Sequence, residues 1–257
     1  MENLLFFSLI GLGVGCFGTL IGAGGGFILM PLLIFLHPGL ASSEITAISL
    51  AIICINSLSG SISYARKKRI DYKSGALFAL FSIPGAVLGT LTTSFFSREI
   101  FDPVFSGTLI MIGFYLFFKP LNPQRMLNEK NETTHNISYN RNLGLFISLG
   151  VGYFSSLLGI GGGIIHVPAL VRFLNFPVHI ATATSHFILF CVTLIATLVH
   201  WTQGNLAQGF HQVLLLSPGV IIGAHIGAIL STYVKGHWII RALSLAIILV
   251  GLRLIFF

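Results

Sequence analysis

The sequence predicts an all-α integral membrane protein built from two homologous halves. Of its 257 residues, 54% are hydrophobic and only 8% are charged, whereas a soluble domain carries roughly 25% charged residues. Long apolar runs recur along the chain, and about 20 apolar residues suffice for one membrane crossing. A glycine-rich motif also occurs twice, at corresponding positions of the two halves. These observations exclude an ordinary soluble domain.

The repeated motif lies in the first apolar run of each half. Residues 13–32 and 150–169 are identical at 11 of 20 positions. The identical positions include a glycine triplet, Gly24, Gly25 and Gly26 in the first copy and Gly161, Gly162 and Gly163 in the second. Broken backbone at membrane depth is tolerated only where protein or a water-filled cavity covers it. Paired breaks at corresponding positions of two halves predict the binding site of a transporter.

About eight membrane segments are expected along the chain. They cover 4–36, 44–65, 74–96, 103–118, 143–174, 178–200, 206–233 and 238–257. The first and fifth are about 32 residues long with the glycine triplet in the middle, too long for one plain crossing and too short for two. Each half therefore opens with a broken or re-entrant helix. The predicted domains are a first membrane repeat over 1–118, a polar linker over 119–142 and a second membrane repeat over 143–257.

Charge in the short polar stretches indicates topology. The net charge of +7 comes from basic residues that form no face with interleaved aromatics, so nucleic-acid binding is not expected. The basic loop 66–73 and the linker 119–142 are expected to be cytoplasmic. The counterpart of the first loop, 201–207, has no basic residue, while the links near Arg172 and Lys235 are basic. This exchange favours inverted repeats, and parallel repeats are the alternative.

The glycine triplets are the strongest candidates for a binding site. Backbone N–H groups can approach a ligand closely at glycine, and a half-helix that starts after the break directs the positive end of its dipole there. Two such ends near the midplane would form an anion site without a fixed charge. The alternative is close helix packing through small residues, although three consecutive glycines exceed what packing needs.

Polar side chains in the second and sixth segments complete the predicted substrate site. They are Ser49, Asn56 and Ser59 in the first half and Thr184, Ser185 and His186 in the second. Intramembrane polar groups usually face the interior of the bundle, although Ser and Thr also bond carbonyls of their own helix. His166 and His186 could couple proton movement to transport, the alternative being hydrogen-bonded interior histidines. No metal site or other cofactor is expected, because no acidic or cysteine ligands accompany them.

All acidic residues fall in termini, loops or segment edges: Glu2, Glu44, Asp71, Glu99, Asp102, Glu129 and Glu132. No carboxylate is therefore expected deep in the membrane. Cation pumps usually need one, whereas an anion carrier does not.

These features resemble the sulfite exporter TauE/SafE family. The resemblance rests on residues 22–26 with Pro31, on 159–163 with Pro168, on the matching segments 47–49 and 183–185, and on the basic loop after the second segment. It implies an inner-membrane permease with two homologous halves that carries sulfite, thiosulfate, an organic sulfonate or a related small anion by alternating access. The second half departs from the pattern by losing the basic loop and gaining histidines.

The sequence supports other functions less well. An intramembrane serine protease would need the motif G-x-S-G, and the nearest string, residues 57–60, lacks its first glycine. The H-E-x-x-H motif of a metalloprotease is absent. An enzyme is therefore not expected. An anion channel with the same dipole-lined constriction stays the alternative to a carrier. The expected partners are a small anion, the lipid bilayer and a coupling proton, and the pattern leaves open the anion, the direction of transport and the oligomeric state.

Overall fold

The computed structural model describes residues 2–118, 139–207 and 209–235, and also 238, 239, 241, 242, 244, 245, 247, 248 and 252. Regular structure in this part of the chain is helical throughout. The helices are α1 (Glu2–Ile21), α2 (Gly26–Leu36), α3 (Ser42–Arg66), α4 (Tyr72–Thr93), α5 (Arg98–Phe118), α6 (Arg141–Leu157), α7 (Gly163–Arg172), α8 (Val178–Thr202) and α9 (Phe210–Leu230). Five of them, α1, α3, α4, α8 and α9, are long and apolar enough to cross a membrane. The prediction of an α-helical membrane protein is confirmed.

The predicted segments correspond to these helices one by one, except at the glycine motifs. There the first segment divides into α1 and α2, and the fifth into α6 and α7. Most of the eighth segment and most of the linker lie outside the described residues, so the count of eight segments stays a prediction. Residues 141 and 142, assigned above to the linker, form the first turn of α6.

The first helix of each half packs on the fourth helix of the other half. α1 lies along α9, where a Cβ atom at Gly219 or Gly223 would collide with the backbone of α1. α4 lies along α6, where Gly85, Gly89 and Gly152 make the same close approach. Small residues allow two helix backbones to touch in this way. The two halves are therefore interlocked by a reciprocal pair of glycine-rich contacts.

Hydrogen bonds between α3 and α9 fix their relative direction. Ser59 Oγ donates to the carbonyl of Ile221 at 3.1 Å, and Lys67 Nζ donates to the carbonyl of Ala228 at 2.6 Å. Because both residue numbers rise together, α3 and α9 run parallel.

The corresponding helices α3 and α8 run in opposite directions. Tyr64, near the end of α3, lies in one apolar cluster with Ala183, near the start of α8. Leu50, in the first half of α3, lies in another cluster with Ala196, in the second half of α8. Since one number rises as the other falls, the two helices are antiparallel.

The chain reverses its direction at the first glycine motif. α1 runs parallel to α9, because Gly11 lies against Leu216 and Gly15 lies against Val220. It is therefore parallel to α3 as well. α2 runs opposite to α3, to which residues 37–41 connect it directly. The α1–α2 pair thus enters and leaves at the same end of the bundle.

Basic residues gather at one end of the bundle, which we call the basic end. It holds the loop between α3 and α4, the start of α6, the end of α7 and the residues after α9. Its cations are Arg66, Lys67, Lys68, Arg69, Lys73, Arg141, Arg172 and Lys235. Burial lowers the pKa of Lys67, and the positive charge of Arg69 lowers it further. At the opposite end, where α3 and α5 begin, the charged side chains that the structure describes are those of Glu44 and Glu99.

Candidate functional site

Both glycine motifs form left-handed breaks of the same shape. Positive φ angles occur at Gly22, Gly24 and Gly25 and at their counterparts Gly159, Gly161 and Gly162. Gly25 and Gly162 cap the short helices α2 and α7, each with a φ of 82°. L-amino acids rarely adopt this conformation. A Cβ atom at Gly25 would also lie 2.6 Å from the carbonyl oxygen of Val14, so the backbone needs glycine here for steric reasons alone.

The two breaks lie against each other in the buried centre of the bundle. A Cβ atom at Gly26 would meet the backbone of Ile160 at 2.9 Å, and one at Gly163 would meet the backbone of Ala23 at 2.5 Å. The starts of α2 and α7 are therefore close neighbours. In the described part of the chain no group accepts a hydrogen bond from the N–H groups of Gly26 or Gly163, as expected of the first turn of a helix.

One apolar pair packs on both breaks. Ile53 of α3 and Leu189 of α8 approach Gly24 in the first break and Gly161 in the second. Both side chains are fully buried. Ile53 and Leu189 are counterparts in the sequence repeat, and because the pair contacts both breaks it lies where the two halves meet.

Two corresponding serines bind the glycine breaks across the halves. Ser49 Oγ donates to the carbonyl of Gly159 at 2.6 Å, and Ser185 Oγ donates to the carbonyl of Gly22 at 3.1 Å. All four residues are buried. Each half therefore supplies a hydrogen bond to the first glycine of the other half's break.

A chain of hydrogen bonds joins His186 to the first break. Asn56 Nδ2 donates to the carbonyl of Gly24 at 2.9 Å, so Asn56 Oδ1 must accept from Thr19 Oγ1 at 3.0 Å. The Thr19 hydroxyl has thereby used its proton, and it accepts from His186 Nε2 at 3.2 Å. The neutral imidazole consequently carries its proton on Nε2, since the hydrogen-bond partners decide the tautomer. His186 Nδ1 is buried without a hydrogen-bond partner in the described chain.

The side chains of three predicted site residues make their contacts away from the breaks. Ser59 donates to α9, as described above. Thr184 Oγ1 accepts the N–H of Asp71 at 3.0 Å and so binds the loop between α3 and α4. His166 Nε2 lies 3.5 Å from Ser148 Oγ on α6, and the structure does not bring it to His186. The glycine triplets, Ser49, Asn56, Ser185 and His186 are brought together.

Two members of the hydrogen-bonded chain were not predicted from the sequence. Thr19 bridges His186 and Asn56, and the Tyr64 hydroxyl donates to the carbonyl of Thr19 at 2.7 Å. The Tyr64 ring also packs edge-on against His186. A hydroxyl three residues before the first glycine of an apolar motif was a signal that could have identified Thr19.

The electrostatic setting of the centre has no fixed negative charge among the described residues. Glu44 and Glu99 lie in the first turns of their helices, and Asp71 caps α4. No group of three or more His, Cys, Asp or Glu side chains in the described ranges could hold a metal ion. What the centre offers chemically is backbone N–H, hydroxyl, amide and imidazole groups.

Comparison with known proteins identifies the family. The sequence matches the family described as sulfite exporter TauE/SafE over residues 7–254. The chain belongs to the TauE/SafE family. YunE of Bacillus subtilis (strain 168), named a probable membrane transporter protein, is 30% identical over 263 residues, or 96% of this chain and 96% of its own length. A probable membrane transporter protein of Methanocaldococcus jannaschii is 30% identical over 205 residues, or 77% and 72%.

A third TauE/SafE relative, the probable membrane transporter protein YjnA of Bacillus subtilis, is 28% identical over 85% of this chain and 88% of its own. No solved structure matches the chain significantly. The chain is thus a membrane transporter of the TauE/SafE family, and the expectation that it is not an enzyme is confirmed.

Proposed function

We propose that this TauE/SafE protein moves a small anion, sulfite or a related sulfur-containing oxyanion or sulfonate, by alternating access around the two glycine breaks. The observation that carries the proposal is the meeting of the α2 and α7 N-termini in the buried centre. Helix N-termini present N–H groups and the positive end of a dipole to an anion. Because no described carboxylate lies nearby, a negatively charged ligand would meet no like charge there.

The proposed substrate site consists of the two breaks and the side chains that hold them. Its backbone part is Gly24, Gly25, Gly26, Gly161, Gly162 and Gly163. Its side-chain part is Ser49, Asn56, Ser185 and His186, which are buried and bonded to the breaks or to their neighbours. Ser59 and Thr184 stay predictions, because their contacts in this conformation are with α9 and with the α3–α4 loop.

We further propose that the halves are inverted repeats in the inner membrane. The antiparallel directions of the corresponding helices α3 and α8 support inversion, since parallel repeats would give them one direction. The basic end then faces the cytoplasm with loop 66–73 and the linker 119–142, in accord with the tendency of Lys and Arg to stay on that side. The opposite end faces away from the cytoplasm.

Proton coupling is proposed to act through His186. Its Nε2 is committed to Thr19, so an added proton would go to Nδ1, which has no partner in the described chain. The resulting cation would lie one hydrogen-bonded chain away from the first break, where it would attract an anion. His166 has no such link in this conformation, so its proposed role is weaker.

Uptake into proteoliposomes tests the proposal. Radiolabelled sulfite, thiosulfate and sulfate are offered to wild-type protein with and without a pH gradient. Saturable flux of a sulfur oxyanion that responds to the gradient is the expected result. Flux that does not saturate would favour the anion channel, and no flux of any of the three anions would remove this substrate class.

A further inference from the structure

A second group of polar side chains lies on the opposite side of the centre from the basic end. Ser42, Thr46, Ser156 and His200 each bury a polar side-chain atom that no described residue contacts by a hydrogen bond. All four residues are more than nine-tenths buried. Such atoms are costly to bury without partners, and partnerless buried polar groups in native structures call for an explanation.

These residues border the second glycine break. Ser42 and Thr46 lie one turn apart on α3, and the methyl group of Thr46 contacts Gly159. The next polar residue on this face, Ser49, donates to the carbonyl of Gly159. The face therefore runs from the start of α3, at the end of the bundle opposite the basic one, inward to the break.

The sequence repeat indicates that Ser156 and His200 lie close together. Ser156 is the counterpart of Thr19, and His200 is the counterpart of Tyr64. In the first half, Tyr64 reaches the carbonyl of Thr19 with its hydroxyl. An imidazole is shorter than a phenol, which leaves His200 Nε2 without a partner. The Thr19 hydroxyl bonds Asn56 and His186, and the counterparts of these two residues are Val192 and Leu50. Ser156 Oγ therefore has no partner among the described residues either. α6, which carries Ser156, contacts both α3 and α8.

All four groups are hydrogen-bond donors. The amide of Asn205 donates to His200 Nδ1 at 3.1 Å, so a neutral His200 carries its proton on Nε2. The three hydroxyls can donate as well. The nearest carboxylate along the chain, that of Glu44, is bonded to the N–H of Ala41 at the start of α3. Several donors without a facing carboxylate form a setting that suits an anion.

We propose that Ser42, Thr46, Ser156 and His200 form a second anion site, on the side of the centre away from the basic end. The inference rests on the proposed anion transport. In this site a small oxyanion would bind transiently on its path between the outer surface and the second glycine break. The corresponding position on the other side is not equivalent, because its polar groups have partners. There the Tyr64 hydroxyl donates to the carbonyl of Thr19, the Thr19 hydroxyl bonds Asn56 and His186, and Thr182 bonds its own helix at 3.0 Å.

The test compares transport kinetics from the two sides of the membrane. Thr46→Val and Ser156→Ala remove one hydroxyl each with little change of shape. His200→Tyr supplies the phenol that the first half has, and its hydroxyl should occupy the site. Losing one hydrogen bond to a charged ligand weakens binding by about tenfold or more. We therefore expect these variants to raise the outer KM about tenfold in right-side-out vesicles and to leave the inner KM in inverted vesicles unchanged.

Thr193→Val is the matched control. Thr193 is buried like Thr46, but its hydroxyl bonds the carbonyl of Leu189 in its own helix at 2.7 Å, so neither KM should change. Equal KM changes on both sides, or none in any of the three site variants, would overturn the proposal. Thr46→Val and Ser156→Ala keep the test valid if His200→Tyr fails to fold.

Failure of the proposed transport is recognised separately. If the wild type moves no sulfur oxyanion, radiolabelled sulfite and sulfate are bound to purified protein at equilibrium. Binding that Ser156→Ala weakens and Thr193→Val keeps would support the site without transport. Absent binding, or binding that both variants keep, would refute it.

Discussion

Replacing the capping glycine of each break by alanine should destabilise the protein strongly. Gly25 and Gly162 have a φ of 82°, and this left-handed conformation costs an L-residue about 1–2 kcal/mol. A Cβ atom at Gly25 would lie 2.6 Å from the carbonyl of Val14, and one at Gly162 would lie 2.9 Å from Ser155 Oγ. Overpacking of this kind costs about 1–3 kcal/mol. Each single variant should therefore lose about 2–5 kcal/mol.

Such a loss is a large part of the roughly 5–15 kcal/mol that stabilises a typical domain. The single variants Gly25→Ala and Gly162→Ala are consequently more informative than the double one. Thermal unfolding of detergent-purified protein measures the stability, and anion uptake by proteoliposomes measures the function. Stability and uptake should both fall, because the alanine is strained in the same glycine break that is proposed to bind the anion.

The repeat itself offers the control. Gly13 and Gly150 are counterparts in α1 and α6, and a Cβ atom at either would meet nothing within 4 Å. Alanine in a helix interior is favoured over glycine by roughly 0.5–1 kcal/mol, so Gly13→Ala and Gly150→Ala should keep or slightly raise the melting temperature and keep transport. If the capping variants behave like these controls, the breaks are not strained as argued. If the capping variants fold less stably but transport normally, the glycines serve packing and our site assignment is wrong.

Three further predictions concern the serine contacts, the proton and the topology. Ser49→Ala leaves the buried carbonyl of Gly159 without its partner, so it should lower the free energy of unfolding by about 1–3 kcal/mol. Ser57→Ala is the control, because the Ser57 hydroxyl bonds its own helix at 2.7 Å. It should lower the free energy of unfolding less in the same thermal assay. His186→Gln should lower anion uptake, because His186 belongs to the proposed substrate site, and the uptake that remains should no longer respond to a pH gradient. An unchanged response in proteoliposomes would exclude His186 as the proton carrier. A cysteine in place of the exposed Lys68 should be protected in intact cells from a membrane-impermeant maleimide, whereas a cysteine in place of the exposed Gly204 should be labelled. The reverse pattern would show that the basic end faces away from the cytoplasm.

The class of α-helical membrane protein could be predicted from the sequence because its signals are strong and local. Apolar runs, glycine triplets and basic loops each follow from the chemistry of a lipid surrounding, and the repeat pairs them between the halves. The crossed packing of α1 on α9 and of α4 on α6 could not be predicted. It depends on glycines of one half, such as Gly223 and Gly152, matching the helix surface of the other half, and no pattern within one helix reveals its partner.

Individual site residues show the same limit. Ser49 and Ser185 were predicted from their depth. That each serine bonds the break of the opposite half is evident only from the antiparallel packing of α3 and α8. Ser59 has the same residue type and a similar depth, and it points to α9 instead. Polarity within a membrane segment therefore indicates that a side chain faces protein, but the crossing geometry decides which protein surface it faces.

The two breaks have nearly identical backbones, but their polar surroundings differ. Asn56 and His186 serve the first break, and their counterparts in the repeat, Val192 and Leu50, cannot form the same chain of hydrogen bonds. A proton taken up by His186 would therefore act on one break and leave the other unaffected. In an alternating-access carrier built from inverted halves, this asymmetry would favour one of two otherwise equivalent conformations. The preferred conformation of the carrier would then be set by these few side chains, while the glycine framework common to both halves would supply the proposed anion site.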